Sequence, residues 1–384
     1  MAALIVGEER YVFETQWYDQ QAELNRYYRI TFFPGDSTIE MYDNKNQRVF
    51  LKRCPYQGVA TIEDFYIGAV VCVYSRQLKI IDYGDVATRK RFEVDRQRTF
   101  AMIKPDAYRN IGKIIDAIYA NGFRISKLKM SKFNADSSND FYGEHKGKPF
   151  FPTLQSFITS DVVVGMELVA DNAIDKWRQF IGPTNTQKAK QDAPGSIRAL
   201  FGTDGTQNAV HGSDSCISMK RETGYWFGGD AKARAMKTTA QLNNCTLCII
   251  KPHIVQAGQA GQIIDMILGE GFEISAMEMF YLTKATIEEF YDVYKTVFPE
   301  YIPQIDHFIS GPSIVLEVRQ QNVVKTFRDM VGPSDPEIAK YLRPHTIRAK
   351  FGQDRVRNAV HCTDLPEDGT IECEYFFNIL QQYQ

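Results

Sequence analysis

The chain contains a long internal repeat. Residues 99–106 read TFAMIKPD and residues 246–253 read TLCIIKPH, so Lys104 and Lys251 stand 147 positions apart. Further on, GSIRALFG at 195–202 is matched by HTIRAKFG at 345–352, and QNAVHGSD at 207–214 by RNAVHCTD at 357–364. Arg198 and Arg348 are 150 apart, as are His211 and His361. An offset that drifts by three residues over more than a hundred marks a duplicated domain of about 150 residues, not a short solenoid unit. Two such copies in 384 residues leave about 90 at the N-terminus for a third domain.

That N-terminal segment has its own character. Tyr11, Phe13, Trp17, Tyr27, Tyr28, Phe32 and Phe33 alternate with polar residues, and Pro34-Gly35-Asp36 marks a turn. Short strands are expected at 26–33, 37–42, 47–52 and 69–74, which describes an all-β module. The charged stretch 88–98 (TRKRFEVDRQR) reads as a solvated linker. Between the copies, 228–241 is polar, carries Lys232, Arg234 and Lys237, and reads as a linker or a short surface helix. The resulting plan is a β domain at 1–92 and repeat domains at 93–232 and 240–384.

Each repeat alternates strands with helices. In copy one a strand is expected at 98–103. Ile111, Ile114, Ile115 and Ile118 then recur at helical spacing up to a stop at Gly122. A second strand follows at 123–130, then helices near 137–145 and 150–159, and a β-branched strand at 161–169. Asp171 is the expected N-cap of a helix running to Phe180. Copy two repeats the pattern, with Ile263, Ile264, Ile267 and Leu268 on its first helix. The order βαββαβ predicts an α+β, ferredoxin-like domain written twice.

Composition narrows the function. Hydrophobic residues make up 44% and charged residues 24%, which excludes a largely disordered chain. The net charge of -2 argues against a sequence-independent nucleic-acid binder, and no apolar run reaches the 18 residues of a membrane span. Met1–Val6 is too short for a secretory signal, and seven scattered cysteines fit a reducing cytoplasm. Cys245 and Cys248 form a CxxC, a spacing that can signal zinc or redox use. On a strand that spacing sends the two side chains to opposite faces, which favours buried structural thiols.

The polar residues that both copies keep are the informative ones. Copy one has Lys104, Tyr142, Arg178, Thr184, Arg198, Asn208, His211 and Glu222; copy two has Lys251, Tyr291, Arg328, Ser334, Arg348, Asn358, His361 and Glu372. One lysine and two arginines suit a ligand with several negative charges, because guanidinium groups grip phosphate oxygens bidentately. A histidine among them titrates near neutral pH and can act as nucleophile or base, with a carboxylate orienting its ring. No GxxxxGK[ST] or GxGxxG phosphate loop is present, so side chains would hold the phosphates.

KPD at 104–106, KPFF at 148–151, GPTN at 182–185, SIRALFG at 196–202 and NAVHGSDS at 208–215 resemble the signature of nucleoside diphosphate kinases. The resemblance covers about 99–227 and again 245–377. WYD at 17–19, FFPGD at 32–36, FLKR at 50–53, SRQL at 75–78 and IDYGD at 81–85 resemble the DM-10 domain, a pleckstrin-like β fold of axonemal, microtubule-bound proteins. The resemblance implies γ-phosphate transfer between nucleoside triphosphates and diphosphates through phosphohistidine, with Mg²⁺ held on the nucleotide's phosphates. His211 would be the nucleophile, held by Glu222, to which Ser213 would bond. Lys104 and Asn208 would serve the transferred phosphate and the ribose, and Arg178, Thr184 and Arg198 the outer phosphates. Tyr142 would lie beside the histidine and Phe150 would stack on the base. Implied partners are tubulin or microtubules and other axonemal or centrosomal proteins, with no membrane and no specific nucleic acid. Implied places are the cytoplasm and cytoskeleton, the axoneme of a cilium or flagellum, and the basal body or centrosome.

Both copies depart from the family pattern. In copy one the loop between Lys104 and Gly112 is short, and Gly205 stands where an apolar residue usually flanks the base. In copy two His253 replaces the aspartate of KPD, Glu300 the base-stacking phenylalanine and Asp335 the asparagine of GPTN, and the two added carboxylates would repel a polyphosphate. Arg355 replaces the apolar flank, and Cys362 and Thr363 alter HGSD. The expectation is a competent copy one, a weak or inactive copy two, and tandem copies packed as an internal pseudo-dimer. The competing expectation is a structural cytoskeletal component without significant turnover.

Overall fold

The structure, a computed structural model, describes residues 8–19, 22–56, 62–74, 76–92, 96–228 and 236–382. Met1–Val6, Ser75 of the SRQL motif, and Lys232 and Arg234 between the copies lie outside the described residues. The chain divides into two compact units, Met1–Arg96 with Tyr281–Gly311, and Gln97–Phe280 with Pro312–Gln384. Among the described residues no helix is long and apolar enough to cross a membrane.

The first unit is built on an antiparallel sheet. Its strands are β1 (Tyr11–Asp19), β2 (Leu24–Phe33), β3 (Thr38–Asp43), β4 (Arg48–Pro55), β5 (Val70–Val73) and β6 (Arg76–Tyr83), in the order β4-β3-β2-β1-β6-β5. β3 alternates between buried and half-buried positions along its length, as a strand with one face on a core must. β1 and β6 are strands that the sequence reading missed. Their apolar residues do not alternate strictly: Val12 and Phe13 are adjacent and both buried, and Ile80 and Ile81 are adjacent. Phe65 stacks between Phe13 (ring centroids 5.3 Å apart) and Phe32 (4.6 Å). Residues 88–92 are not a solvated linker. They belong to a helix, Val86–Phe92, whose Phe92 ring packs edge-on to Phe13 and whose Thr88 hydroxyl accepts the Val12 N–H at 2.9 Å. The segment Tyr281–Gly311 contributes the helices Lys284–Phe290 and Tyr301–Phe308, and the Gln77 amide donates to the Leu282 carbonyl.

The second unit carries β7 (Arg96–Ile103), β8 (Arg124–Ser131), β9 (Val163–Asp171) and β10 (Val210–Gly212) from copy one. Copy two supplies β11 (Cys245–Ile250), β12 (Glu273–Phe280), β13 (Ser313–Arg319) and β14 (Val360–Cys362). The isoleucines predicted to line a helix do so over Ile111–Ala120, and Gly122 ends that turn with φ +73°. Asp171 is not the next N-cap. It ends β9, and Asn172, in the left-handed region at φ 51°, precedes the helix Ala173–Ile181. Asn322 does the same in copy two. Asn tolerates this conformation better than most residues with a side chain. After the undescribed 229–235, Met236 is buried against Phe100 and Trp226, and the Lys237 carbonyl accepts from Ser131 Oγ at 2.8 Å. That end of the inter-copy segment is therefore tied to copy one.

The eight strands form one sheet, in the order β10-β7-β9-β8-β12-β13-β11-β14. The order reads the same from either end in equivalent strands, so the copies meet edge to edge through β8 and β12. Lys129 is in register with Glu278 there, and the pair approaches to 3.4 Å. The Tyr108 hydroxyl accepts the Ile274 N–H at 2.8 Å and donates to the Ile274 carbonyl at 3.0 Å, next to an irregularity in β12. Above the joint, the helices Ile111–Ala120 and Ala260–Gly269 cross at paired glycines. A Cβ on Gly112 would lie 2.3 Å from the Asp265 nitrogen, and one on Gly261 would lie 2.4 Å from the Asp116 nitrogen. Gly261→Val is expected to destabilise the second unit by about 1–3 kcal/mol through overpacking. Gly269→Ala, where a Cβ meets nothing, is expected to be neutral or slightly stabilising. Denaturant midpoints of the two variants check this.

Candidate active site

His211 lies on the short strand β10, and the backbone around it is held on several sides. The Lys104 N–H donates to the Ala209 carbonyl at 2.8 Å, and Asp106 Oδ2 accepts the Ala209 N–H at 2.9 Å. Arg198 donates to the Val210 carbonyl at 3.2 Å, and the Trp177 indole N–H to the His211 carbonyl at 3.3 Å. Ala209 itself has φ 67°, and its counterpart Ala359 has φ 69°. A strained residue repeated two positions before each histidine indicates an over-determined loop, as functional sites often have. The sequence reading did not identify Trp177 or Ala209.

His211 Nε2 is 3.1 Å from Glu222 Oε2 without the alignment of a linear hydrogen bond, and Ser213 Oγ donates to the same oxygen at 2.5 Å. The Tyr142 ring stands edge-on at 6.0 Å from the imidazole. Burial pushes the Tyr142 phenol strongly up, and its hydroxyl has no partner among the described residues. Phe100 and Phe141 complete an aromatic wall around the ring.

These groups open onto a cavity of about 520 Å³ lined by Lys104, Tyr142, Phe150, Arg178, Thr184, Arg198, Asn208, His211 and Glu222. Every residue expected at the nucleotide site of copy one is therefore brought to one place, with Ser213 just behind the carboxylate. Gly182 makes the turn at its wall with φ +79°; a Cβ there would meet Ser196 Oγ at 2.3 Å. Phe150 is half exposed at the rim, edge-on to His145 at 5.6 Å. His145 and Glu144 also line the cavity and were not predicted. Burial and the nearby Lys148 push the His145 pKa down.

The cavity has a cationic floor. Lys104 is buried, donating to Asn208 Oδ1 at 2.7 Å and to the Thr206 carbonyl at 3.2 Å. Burial, reinforced by Arg198, lowers its pKa to about 8. Arg198 donates to the Gly182 carbonyl at 2.8 Å, and burial next to Arg178 lowers its pKa to about 10. Among the described residues no carboxylate ion-pairs with Lys104, Arg178 or Arg198. A site with buried Lys104, half-buried Arg198 and exposed Arg178, none of them ion-paired to a carboxylate, is shaped for an anion. The cavity's three carboxylates do not form a metal cage: Glu222 is engaged with Ser213, Asp214 with Ser218 at 2.6 Å and Glu144 with Arg221 at 3.3 Å. A divalent ion would fit this site as part of the anion.

The profile of the family described as "Nucleoside diphosphate kinase" matches residues 97–231 and 244–381. The chain belongs to that family. The "Nucleoside diphosphate kinase 7 N-terminal PH domain" profile matches residues 5–94, in agreement with the pleckstrin-like expectation for the β domain. The nucleoside diphosphate kinase homolog 7 of Rattus norvegicus is 48% identical over 97% of this chain and 94% of its own length. The homolog 7 of Mus musculus gives the same figures. The nucleoside diphosphate kinase of Aquifex aeolicus is 42% identical over 35% of this chain and 95% of its own length.

The second kinase copy keeps the backbone of the site and changes its charges. His361 Nε2 lies 3.2 Å from Glu372 Oε2, to which Thr363 Oγ1 donates at 2.7 Å, so Thr363 takes the part of Ser213. Arg348 repeats the two carbonyl contacts of Arg198, to Gly332 at 2.9 Å and Val360 at 3.1 Å. Asn358 donates to the Ser334 carbonyl at 3.0 Å. Arg328, however, is ion-paired to Asp364, and Arg355 to Asp335 at 2.8 Å. Asp335 was expected to repel a polyphosphate, but it is an N-cap whose charge is matched by Arg355. Lys251 donates to the Val356 carbonyl at 2.9 Å, and complete burial pushes its pKa well down. Where Asp106 offers Lys104 a negative charge, His253 is held near pKa 3 by burial and the lysine. The His361 side chain is 7% exposed, against 22% for His211. Tyr291 and Glu300 belong to the first compact unit.

Lys104 sets a pH test. Its depressed pKa costs stability below about pH 8, and the cost is relieved as pH rises from there towards 10.5. An anion in the cavity favours the charged lysine, so affinity for a nucleoside diphosphate is expected to fall above pH 8 as Lys104 loses its proton. Binding just above pH 8 is expected to take up protons. Calorimetry in buffers of different ionisation enthalpy reads that uptake, and Lys104→Gln is expected to remove it.

Proposed function

We propose that copy one is a nucleoside diphosphate kinase acting through phospho-His211. The observation that carries this reading is a histidine beside a buried carboxylate, in one cavity with three cations that ion-pair with no carboxylate among the described residues. Glu222 lies against Nε2 at 3.1 Å, and Nδ1 is assigned as the nucleophile. The Nδ1 lone pair attacks the γ-phosphorus of a nucleoside triphosphate, the bond from that phosphorus to the β,γ-bridging oxygen breaks, and the diphosphate leaves. A second diphosphate then attacks the phosphohistidine with a β-phosphate oxygen, the P–N bond breaks, and a new triphosphate departs. Lys104, Arg178 and Arg198 meet charge on the phosphate oxygens, which is the main demand of phosphoryl transfer. Asn208 and Thr184 supply hydrogen bonds, Tyr142 supports the imidazole, and Phe150 offers a ring face to the base. Mg²⁺ bound to the nucleotide's phosphates would neutralise further charge.

Copy two is assigned weak or absent turnover. Its arginines Arg328 and Arg355 already have carboxylate partners, burial pushes the pKa of its lysine well down, and His361 is more enclosed. A phosphate would have to displace existing ion pairs before it could bind.

The N-terminal domain's resemblance to DM-10 modules supports a place on microtubules: in the cytoplasmic cytoskeleton, the axoneme of a cilium or flagellum, and the basal body or centrosome. Tubulin and other axonemal or centrosomal proteins are the proposed partners. The self-neutralised second site favours a reading in which that copy serves assembly rather than turnover.

Incubation with γ-labelled ATP tests the chemistry. Acid-labile label is expected in the wild type and in His361→Ala, and less than about 1% of it in His211→Ala; label retained in the last variant would overturn the assignment. Lys104→Gln is expected to lower kcat/KM by about 10²–10³. In co-pelleting with microtubules, His211→Ala is expected to bind like the wild type. Absence of both from the pellet would sink the cytoskeletal assignment.

A further inference from the structure

The repeat allows each site to be compared with its twin. In copy one, the buried Glu167 on β9 accepts from Ser126 Oγ at 2.7 Å and faces the Arg98 guanidinium at 3.5 Å. In copy two the equivalent Glu317 on β13 is fully buried, but Cys245 stands in place of Arg98. Among the described residues no Lys, Arg or His ion-pairs with Glu317. Position 223, a threonine in copy one, is Cys373 in copy two, on the helix Asp368–Glu374. Both replacements converge on the same carboxylate. The Cys245 and Cys373 sulfurs and a Glu317 oxygen all lie within 4.8 Å of one another, and all three residues are buried. The CxxC of the sequence is not this group: Cys248 is on β11 opposite Cys362 in the sheet.

We propose that Cys245, Glu317 and Cys373 bind a zinc ion that replaces the lost guanidinium. Two thiols and a carboxylate are ligands that suit zinc, and tetrahedral bonds of about 2.3 Å to sulfur and 2.0 Å to oxygen place ligand atoms about 3.5 Å apart. The cluster needs only a small contraction to reach that spacing. Glu317 is held ready. Its Oε2 accepts from Gln241 N–H at 2.7 Å and Ser275 Oγ at 2.5 Å, while Oε1 accepts the Leu242 N–H at 2.7 Å, which leaves it a second lone pair for a metal. The fourth position falls to the Gly369 carbonyl or the Thr370 hydroxyl, 3.8 and 3.9 Å from Cys245 Sγ. On binding, the two thiol protons pass to solvent and the sulfurs bind as thiolates. The site is closed and structural: it ties β11 and β13 to the helix that carries Glu372, the residue that holds His361.

The test uses the full chain, purified with a thiol reductant and stripped with a chelator. After incubation with zinc and dialysis, elemental analysis is expected to find one zinc per chain more than in Cys245→Arg/Cys373→Thr. That double variant installs the pair found in copy one, so it removes the ligands while returning a cation to Glu317. Cobalt(II) added to the stripped wild type is expected to give a near-ultraviolet sulfur-to-cobalt charge-transfer band, absent from the double variant. Cys373→Thr alone, the milder change, is expected to weaken zinc binding at least tenfold in competition with a chromophoric chelator, with the circular dichroism of the wild type. Equal metal content in wild type and variants overturns the proposal. So does the absence of a charge-transfer band, or recovery of Cys245 and Cys373 as a disulfide under these reducing conditions. Phosphorylation of His211 is not the readout, so the outcome is independent of the kinase assignment.

Discussion

The second unit depends on an edge-to-edge joint between β8 and β12. A sheet edge exposes unpaired backbone groups, and each copy has such an edge. Joining them removes both at once, and the Lys129–Glu278 contact and the Tyr108 hydroxyl complete the seam. The joint also requires two helices to cross with their backbones nearly touching, which is why Gly112 and Gly261 face each other. Chain connectivity makes the pairing intramolecular, so the arrangement does not depend on protein concentration.

Within that frame the active site is a problem of charge burial. The fold places Lys104 and Arg198 where water is scarce and gives them neutral partners: an amide oxygen and backbone carbonyls. Among the described residues no carboxylate ion-pairs with either, and burial depresses their pKa values. The unmet charge is what makes the cavity selective for a polyanion. Copy two shows the alternative solution to the same problem. It keeps the backbone contacts of Arg348 but answers Arg328 and Arg355 with Asp364 and Asp335. A side chain that already holds a carboxylate has little to gain from a phosphate.

Much of this was legible in the sequence because repetition served as an internal control. The same lysine, arginines, asparagine, histidine and glutamate at matched offsets could be picked out without any coordinates. The structure gathers those of copy one around one cavity. The helices with clean 3.6-residue periodicity were also readable. Less was readable where local pattern is weak: β1 and β6 lack strict alternation, and the charged run at 88–92 conceals Phe92 and Thr88, which anchor a helix to the sheet. Asn172 was missed as an N-cap because the preceding aspartate carries the stronger local signal, while the left-handed φ that selects asparagine is invisible in a string.

The sequence by itself determined the duplication, the family and the list of polar residues at the phosphate site, because those are properties of residue identity and spacing. The tertiary structure alone decided what each of those residues faces. Asp335 looked like a repulsive charge until Arg355 was found beside it, and Cys245 looked like half of a CxxC until Glu317 and Cys373 were found on other elements. Electrostatics falls off with distance through space and grows with burial, and neither quantity is written along the chain.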